Sequence, residues 1–146
     1  MLKVNTARIA EFNWSSPEGE IIGAGKEISE ELGRKPDSTD LNERHPFDVE
    51  ICRIPPGKTP YTYHSHSAQW EFYHVISGSG VVCHTEGTTP IEVGDAFLFN
   101  LNEPHQTCIS LDAYCHRASS ARQFCPCGSL LAFCTYHRAQ WYLDDH

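Results

Sequence analysis

The feature that most constrains this chain is a pair of histidines two residues apart, followed by a carboxylate. His64 and His66 lie within the stretch Gly57–Gly80. On an extended strand both imidazoles would project from one face. Glu71 follows His66 by five residues, the wrong parity for an unbroken strand, so we expect a bend or bulge at 67–69. Two imidazoles and one carboxylate converging on a point form a metal site that lacks one ligand.

The missing ligand is expected from a second stretch, Gly94–His105, in which a glycine-led strand and a polar turn precede a histidine. His105 is therefore the candidate fourth ligand. Neutral imidazoles with one carboxylate suit Mn, Fe, Co, Ni, Cu or Zn, and residue types alone do not choose among these divalent transition metals. On a six-coordinate ion, four protein ligands would leave two positions for water or a bidentate oxygen substrate. The ion would act there as a Lewis acid or lower the pKa of bound water.

These two stretches resemble the two motifs of the cupin superfamily, which consists of small β-barrels. The residues that match the first motif, with one extra residue in the first spacer, are Gly57, His64, His66, Glu71 and Gly78. The resemblance covers roughly residues 45–106 and is that of a single-domain, conserved-barrel (Cupin 2-like) cupin. It implies a double-stranded β-helix, or jelly-roll cupin barrel, with the four candidate residues as ligands of the metal. A homodimer is a further expectation from the family.

The second motif is less complete. It keeps its glycine, Gly94, and its histidine, His105. Asn100 stands in place of its proline, while Asn102 and Ile109 replace a glycine and an asparagine. Because asparagine tolerates the left-handed turn conformation that glycine would supply, we expect Asn102 to adopt that conformation.

Short β-branched or alternating segments separated by glycine turns predict an all-β sandwich or barrel. The predicted strands are Phe47–Ile54, His64–His66, Trp70–Ile76, Val81–His84, Ile91–Val93 and Ala96–Phe99. A first strand is expected within residues 2–14. One or two helical turns are expected at Lys26–Leu32, ended by Gly33.

The charge balance restricts the partners of the protein. Its 11 basic and 19 acidic residues give a net charge of −8, which argues against nucleic acid and anionic membrane surfaces. No apolar run approaches the ~18 residues of a membrane span, and the first residues lack the layout of a secretory signal. A cytoplasmic location with a small-molecule ligand is therefore the expectation. Since the seven cysteines are an odd number, at least one thiol is free.

Composition divides the chain into three parts. We predict an N-terminal strand and loop extension at 1–44, a barrel core with both motifs at 45–111, and an atypical Cys-rich segment at 112–146. Residues 107–146 hold five of the seven cysteines and no lysine or glutamate. A cupin requires further strands here, and Leu130–Tyr136 is a candidate. One hypothesis is that this ending is not the native one of the family and leaves the barrel unclosed.

Several polar residues beside the candidate ligands are expected to line a pocket, although core packing is an alternative role for each. These pocket candidates are Tyr61, Tyr63, Gln69, Tyr73 and Gln106. Trp70 and Phe72 have the opposite strand parity to Glu71 and are expected to pack away from the metal.

Two functions remain open at this point. The first is a metal-dependent enzyme acting on a small oxygen-rich molecule, of the dioxygenase, decarboxylase, isomerase or lyase type. The second is a non-catalytic cupin that binds a sugar or another small molecule. Fold alone does not choose between them. No residue for proton transfer can be identified, because Glu71 would be committed to the metal. A third hypothesis is that the atypical ending prevents the site from assembling.

Overall fold

Antiparallel strands form most of the regular structure of this chain. A computed structural model describes residues 1–108, except 36, 39, 41 and 46, together with the backbone of 130–138. The strands in this part of the chain are β1 (Phe12–Ser15), β2 (Ile22–Glu27), β3 (Phe47–Ile54), β4 (Gln69–Ser77), β5 (Ser79–His84), β6 (Gly87–Glu92), β7 (Ala96–Phe99), β8 (His105–Cys108) and β9 (Leu130–Arg138). A 3₁₀ turn covers Thr6–Arg8 and helix α1 covers Ile28–Glu31. The all-β prediction is confirmed.

The strands form two sheets. The order is β1-β2-β3-β9-β4-β7 in the larger sheet and β6-β5-β8 in the smaller one. Strand β9 lies between β3 and β4, where Leu130 pairs with Ile54 and Arg138 pairs with Gln69. The strand predicted at 130–136 is therefore confirmed, in a central position of the sheet. Residues 109–129 lie outside the described residues, and the three-part division of the chain stays a prediction.

Both sheets contribute side chains to one apolar core. Its buried members are Cys52, Ile54, Tyr73, Val75, Val82, Ile91 and Phe99. Along β3, Glu50 has the same parity as Cys52 and Ile54, and it is only 5% exposed. Phe47, on the opposite face, is 46% exposed. This strand thus directs a carboxyl group inward and an aromatic ring outward.

The predicted helix at Lys26–Leu32 is too long. Lys26 and Glu27 belong to β2, where Glu27 pairs with Glu50 of β3. Pairing between the two strands therefore keeps the first two residues of the predicted helix extended. The helix ends as predicted. Gly33 has a φ of 96° and donates its backbone N–H to the carbonyl of Glu30 at 2.8 Å.

The prediction of a strand at His64–His66 is wrong. His64 forms a single isolated bridge with His105, and the chain bends at Ser67 and Ala68 before β4 begins. The bend was expected from the parity of Glu71. Its consequence is that the ligand-bearing segment is held by isolated backbone contacts rather than by a continuous ladder. Within the described residues, no helix has the length and apolar character needed to cross a membrane.

The polar turn of the second motif has the predicted backbone conformation. Asn102 has a φ of 60°, in the left-handed region. We expect Asn102→Gly to leave the free energy of unfolding nearly unchanged, because glycine adopts this conformation without strain. Asn102→Val should lower it by about 1–2 kcal/mol. Urea denaturation of both variants checks this prediction, and equal stabilities of the two would contradict it.

Candidate metal centre

Three imidazoles and one carboxylate converge on one point of the structure. One ligand atom from each of four residues lies within 4.8 Å of the others, and these residues are His64, His66, Glu71 and His105. The Nε2 atoms of His64 and His66 are 3.1 Å apart. Oε2 of Glu71 is 3.1 Å from Nε2 of His66 and 2.7 Å from Nε2 of His105. The sequence motifs therefore meet in space as expected.

Backbone contacts bring the two motifs together. The N–H of His64 donates to the carbonyl of His105 at 3.0 Å, and the N–H of His105 donates to the carbonyl of His64 at 2.8 Å. The N–H of Asn102 donates to the carbonyl of His66 at 2.7 Å. Both histidines of the first motif are thus fixed to the turn and strand of the second.

Backbone carbonyls orient two of the imidazole rings. Nδ1 of His64 lies 2.7 Å from the carbonyl of Thr62, and Nδ1 of His105 lies 2.9 Å from the carbonyl of Glu103. We assign the proton to Nδ1 in each ring, since a carbonyl only accepts. Nε2 of each ring then faces the cluster, an arrangement typical of metal-binding histidines.

The carboxylate of Glu71 is buried and held at both oxygens. The hydroxyl of Tyr73 donates to Oε1, which leaves Oε2 for the histidines. Burial by itself would raise the pKa of Glu71, but hydrogen bonds from His105 and Tyr73 outweigh burial and hold the pKa below its usual value. Glu71 is therefore ionised at neutral pH, as a metal ligand must be.

The electrostatics of His66 favour its neutral form. Burial lowers the pKa of His66, and the neighbouring imidazoles of His64 and His105 act in the same direction. Together they outweigh the attraction of Glu71 for the charged form. Since only neutral imidazole binds a metal ion, this environment suits a ligand.

Phe99 positions His105 and was not identified from the sequence. The two rings are stacked, with centroids 3.7 Å apart and an interplanar angle of 2°. Phe99 is 5% exposed and belongs to the core. The one sequence signal for this role is that Phe99 occupies an inward-facing position on the strand before His105. Stacking on Phe99 fixes the plane of the His105 ring, and the hydrogen bond from Nδ1 to the carbonyl of Glu103 fixes the orientation of the ring within that plane.

The donor set fits a transition metal ion. Adjacent donors at 2.0–2.2 Å from one ion lie about 3 Å apart, close to the separations among these four ligand atoms. Two oriented Nε2 atoms and a carboxylate with one oxygen not bonded to Tyr73 supply the donors that such ions prefer. These residues could hold a metal ion, and the assignment of each as a ligand stays a prediction.

Comparison with models of known protein families identifies one domain in this chain. Residues 50–110, which include all four of these residues, match the family model described as the cupin domain. The chain contains a cupin domain. The resemblance stated from the two motifs is therefore confirmed. A search of curated proteins finds no match to the sequence.

Solved structures share the fold of this chain. A predicted oxalate decarboxylase from Thermotoga maritima is 17% identical, with a TM-score of 0.64, over 95% of this chain and all (100%) of that one. A sugar phosphate isomerase of the cupin superfamily from Silicibacter pomeroyi is 18% identical, with a TM-score of 0.65, over 93% and 75% of the two chains. Ectoine synthase from P. lautus is 12% identical, with a TM-score of 0.62, over 96% and 80%. At these identities the likeness concerns the fold alone, and it confirms the jelly-roll barrel.

The pocket candidates of this cupin occupy different environments. Tyr73 is buried and contacts Glu71, as described above. Tyr61 stacks on Trp14, with centroids 5.5 Å apart, and presents its edge to His64 at 6.1 Å. Both tyrosines therefore contact candidate ligands directly.

The other three pocket candidates are less closely tied to the cluster. Gln69 begins β4 on the face of Glu71 and is half-buried, whereas Tyr63 is 41% exposed. Gln106 is buried and donates through Nε2 to the carbonyl of Tyr61 at 2.9 Å. Its strand parity is opposite to that of His105, so it lies behind the cluster. A role for any of them in a pocket stays a prediction.

We expect Tyr73→Phe to weaken metal binding, because the hydroxyl of Tyr73 orients Glu71. Outer partners of this kind typically contribute 10- to 100-fold to metal affinity. Titration with Co²⁺, followed by its absorption, measures the change. Tyr63→Phe is the matched control, since Tyr63 is exposed. Equal affinities of the two variants would contradict the role of Tyr73.

Proposed function

We propose that this cupin is a metal-dependent enzyme acting on a small oxygen-rich molecule. The observation that carries the proposal is a buried, ionised Glu71 whose Oε2 atom faces three imidazoles, two of them oriented through Nδ1. Such a cluster is costly to bury without a cation. A bound divalent transition metal, which we propose to be Mn, Fe, Co, Ni, Cu or Zn, supplies Lewis acidity or lowers the pKa of a bound water.

The residues of the chain would have separate tasks in this enzyme. The ion would be held by His64, His66, Glu71 and His105. The hydroxyl of Tyr73 donates to Oε1 of Glu71 and would leave Oε2 for the ion. Burial of Glu71 and His105, each 1% exposed, excludes water from the inner side of the centre. A substrate would therefore approach from the side of His64 and His66, whose side chains are 27% and 29% exposed.

The reaction type is left open by the fold. The similar structures named above are an isomerase, a predicted decarboxylase and a synthase, so one barrel serves several chemistries. We retain the dioxygenase, decarboxylase, isomerase and lyase types as candidates. The alternative is a non-catalytic cupin that binds a sugar or another small molecule. The cytoplasmic location and the lack of nucleic acid and membrane partners stay predictions from charge and composition.

Turnover separates the two functions. Protein loaded with each metal in turn should be incubated with a panel of diols, keto acids and sugars, and the products analysed by mass spectrometry. The proposal expects turnover of at least one compound that stops when the metal is removed by a chelator. Saturable binding of a compound without conversion by any metal form would favour the binding protein instead.

Metal affinity should fall with decreasing pH. The pKa values of His66 and Glu71 both lie below their usual values, so each group loses its proton at a lower pH than a free side chain. Binding should therefore be complete at pH 7 and be lost as the pH falls below about 6.5, the ordinary pKa of histidine. Equilibrium dialysis with Co²⁺ between pH 8 and pH 4.5 measures this. An affinity that does not change over this range would contradict it.

A homodimer is proposed with support from the outer face of the larger sheet. Trp70 and Ile76 of β4 and Leu98 of β7 point outward and are 37%, 41% and 48% exposed. Antiparallel sheets that face water normally carry polar residues on that side. Light scattering of the purified protein distinguishes the mass of two chains from that of one, and a monomer at all concentrations would contradict the dimer.

A further inference from the structure

The chain directly before His64 has no regular structure of its own. Residues 60–63 (segment 60–63) belong to no strand or helix, and Thr62 is exposed. The imidazole of His64 nevertheless depends on this segment, because its Nδ1 lies 2.7 Å from the carbonyl of Thr62. The segment contacts β8, where Nε2 of Gln106 donates to the carbonyl of Tyr61. Side-chain contacts of this kind, rather than pairing of strands, therefore decide where the Thr62 carbonyl lies.

Trp14 of β1 holds the beginning of segment 60–63. Nε1 of its indole donates to the carbonyl of Pro60 at 2.8 Å. The indole also stacks on Tyr61, with centroids 5.5 Å apart and an interplanar angle of 12°. Tyr61 in turn presents its edge to His64 at 6.1 Å. One side chain thus fixes the first two residues of the segment, which precede the carbonyl that orients His64.

The hairpin of β1 and β2 also holds the residue that precedes the segment. The N–H of Ile22 donates to the carbonyl of Thr59 at 3.0 Å, and Ile21 forms an isolated bridge with Thr59. Trp14 itself is packed against the apolar core, which fixes the indole independently of segment 60–63. The hairpin lies outside both sequence motifs, yet it supplies an anchored support for the chain that leads to His64.

Gly23 of β2 provides the space that the indole occupies. Trp14 and Gly23 are directly paired positions of adjacent strands. A Cβ atom at position 23 would lie 2.2 Å from Cζ2 and 2.5 Å from Cε2 of Trp14. Carbon atoms that are not bonded approach to about 3.5–4.0 Å, so any side chain at this position would displace the indole. Glycine within a strand often marks such a close approach.

We propose that Trp14 is a positioning residue for the candidate ligand His64 and that Gly23 makes this role possible. The indole holds the beginning of segment 60–63, and the segment keeps the carbonyl of Thr62 against Nδ1 of His64. Partners that orient a ligand in this way contribute to metal affinity. The consequence for metal binding rests on the proposed function, whereas the ordering of His64 does not.

Hydrogen exchange of the metal-free protein, followed by NMR, tests the ordering of His64. The amide of His64 donates to the carbonyl of His105. The amide of Asn102 makes a similar contact with the carbonyl of His66 and serves as the internal reference. We expect Trp14→Ala to increase the exchange rate of the His64 amide about tenfold relative to that of Asn102, through local opening. If Trp14 only packed the core, both rates would change equally.

Three further variants separate the parts of this contact. Gly23→Ala should produce the same selective increase, because it displaces the indole without removing it. Trp14→Phe retains a stacking ring but not the donor to Pro60, so it should show a smaller selective increase, and it decides the test if Trp14→Ala does not fold. Phe12→Ala is the matched control without a selective increase, since Phe12 stacks on Trp14 from the same face of β1. Equal changes of the two amides in either Trp14→Ala or Gly23→Ala would overturn the proposal.

Titration of the same variants with Co²⁺ tests the consequence for the metal centre. Trp14→Ala and Gly23→Ala should bind Co²⁺ about tenfold more weakly than the parent, as expected when an outer partner is lost, and Phe12→Ala should keep the affinity of the parent. Full affinity in a variant with a faster His64 amide would overturn the role of Trp14 at the centre. A parent that does not bind Co²⁺ would instead contradict the proposed function. The exchange rates of the metal-free protein still decide the ordering of His64 in that case.

Discussion

His105→Ala is expected to abolish metal binding by this cupin and to destabilise the barrel. The substitution removes one of four donors and the hydrogen-bonding partner of Oε2 of Glu71. Both residues are 1% exposed, so a buried carboxylate loses its closest partner. Removal of one member of such a pair costs about 3 kcal/mol. The affinity for Co²⁺ should fall by more than about 100-fold, beyond the usual effect of outer partners.

Thermal unfolding with and without Co²⁺ measures both effects. Because a metal that binds only the folded state raises its stability, the parent should unfold at a higher temperature with Co²⁺. The variant should unfold at a lower temperature than the parent and should not respond to the ion. His74→Ala is the control, since His74 lies exposed on the outer face of β4 and should keep the response. A preserved response in His105→Ala would exclude His105 as a ligand.

Phe99→Ala should strongly destabilise the protein. The ring of Phe99 is buried in the core and stacks on His105 at 3.7 Å. Truncation of a buried phenylalanine costs about 3–5 kcal/mol through lost burial and the cavity that remains. Because His105 loses the surface that fixes its plane, the affinity for Co²⁺ should also decrease.

Urea denaturation and Co²⁺ titration of two further variants isolate these effects. Val93→Ala changes an apolar residue that is 60% exposed and lies outside the proposed dimer face, and it should alter stability by no more than about 0.5 kcal/mol. Phe99→Leu keeps most of the apolar volume but not the flat ring, so it should affect metal affinity more than stability. If Phe99→Leu kept the full affinity, the stack would have no role at the centre.

The cluster of candidate ligands could be predicted from the sequence because the chemistry of a metal site restricts residue types and spacing, while their role as ligands stays a prediction. His64, His66, Glu71 and His105 were selected in this way, and the structure brings their ligand atoms together. The parity of Glu71 also predicted the bend before β4. The local conformation of His64 and His66 was predicted wrongly. Two histidines at this spacing can point to one site without belonging to a hydrogen-bonded strand. His64 is held by one bridge to His105 instead.

The orientation of β3 could not be predicted from its alternation. Phe47–Ile51 alternates between apolar and acidic residues, and a period of two predicts a strand without assigning its faces. Packing decides the direction, and here Cys52 and Ile54 face the core together with Glu50. The buried, inward position of Glu50 was therefore missed.

Side-chain contacts and the pairing of strands that are distant in sequence could not be predicted from sequence patterns. The stack of Phe99 on His105 and the hydrogen bond from Tyr73 to Glu71 depend on side-chain geometry rather than on spacing. The central position of β9 depends on pairing with strands more than fifty residues earlier in the chain. Periodicity predicted that strand, but only the register shows that it joins β3 to β4.

The central claim is that these four residues form a metal centre, and the metal content of the purified protein tests it most directly. The protein should be purified without added metal or chelator and analysed by mass spectrometry of the elements, with His66→Ala in parallel. We predict about one equivalent of a divalent transition metal per chain in the parent and its loss in the variant. A parent without metal even after reconstitution, or a variant with the same content as the parent, would contradict the metal centre and the function proposed from it.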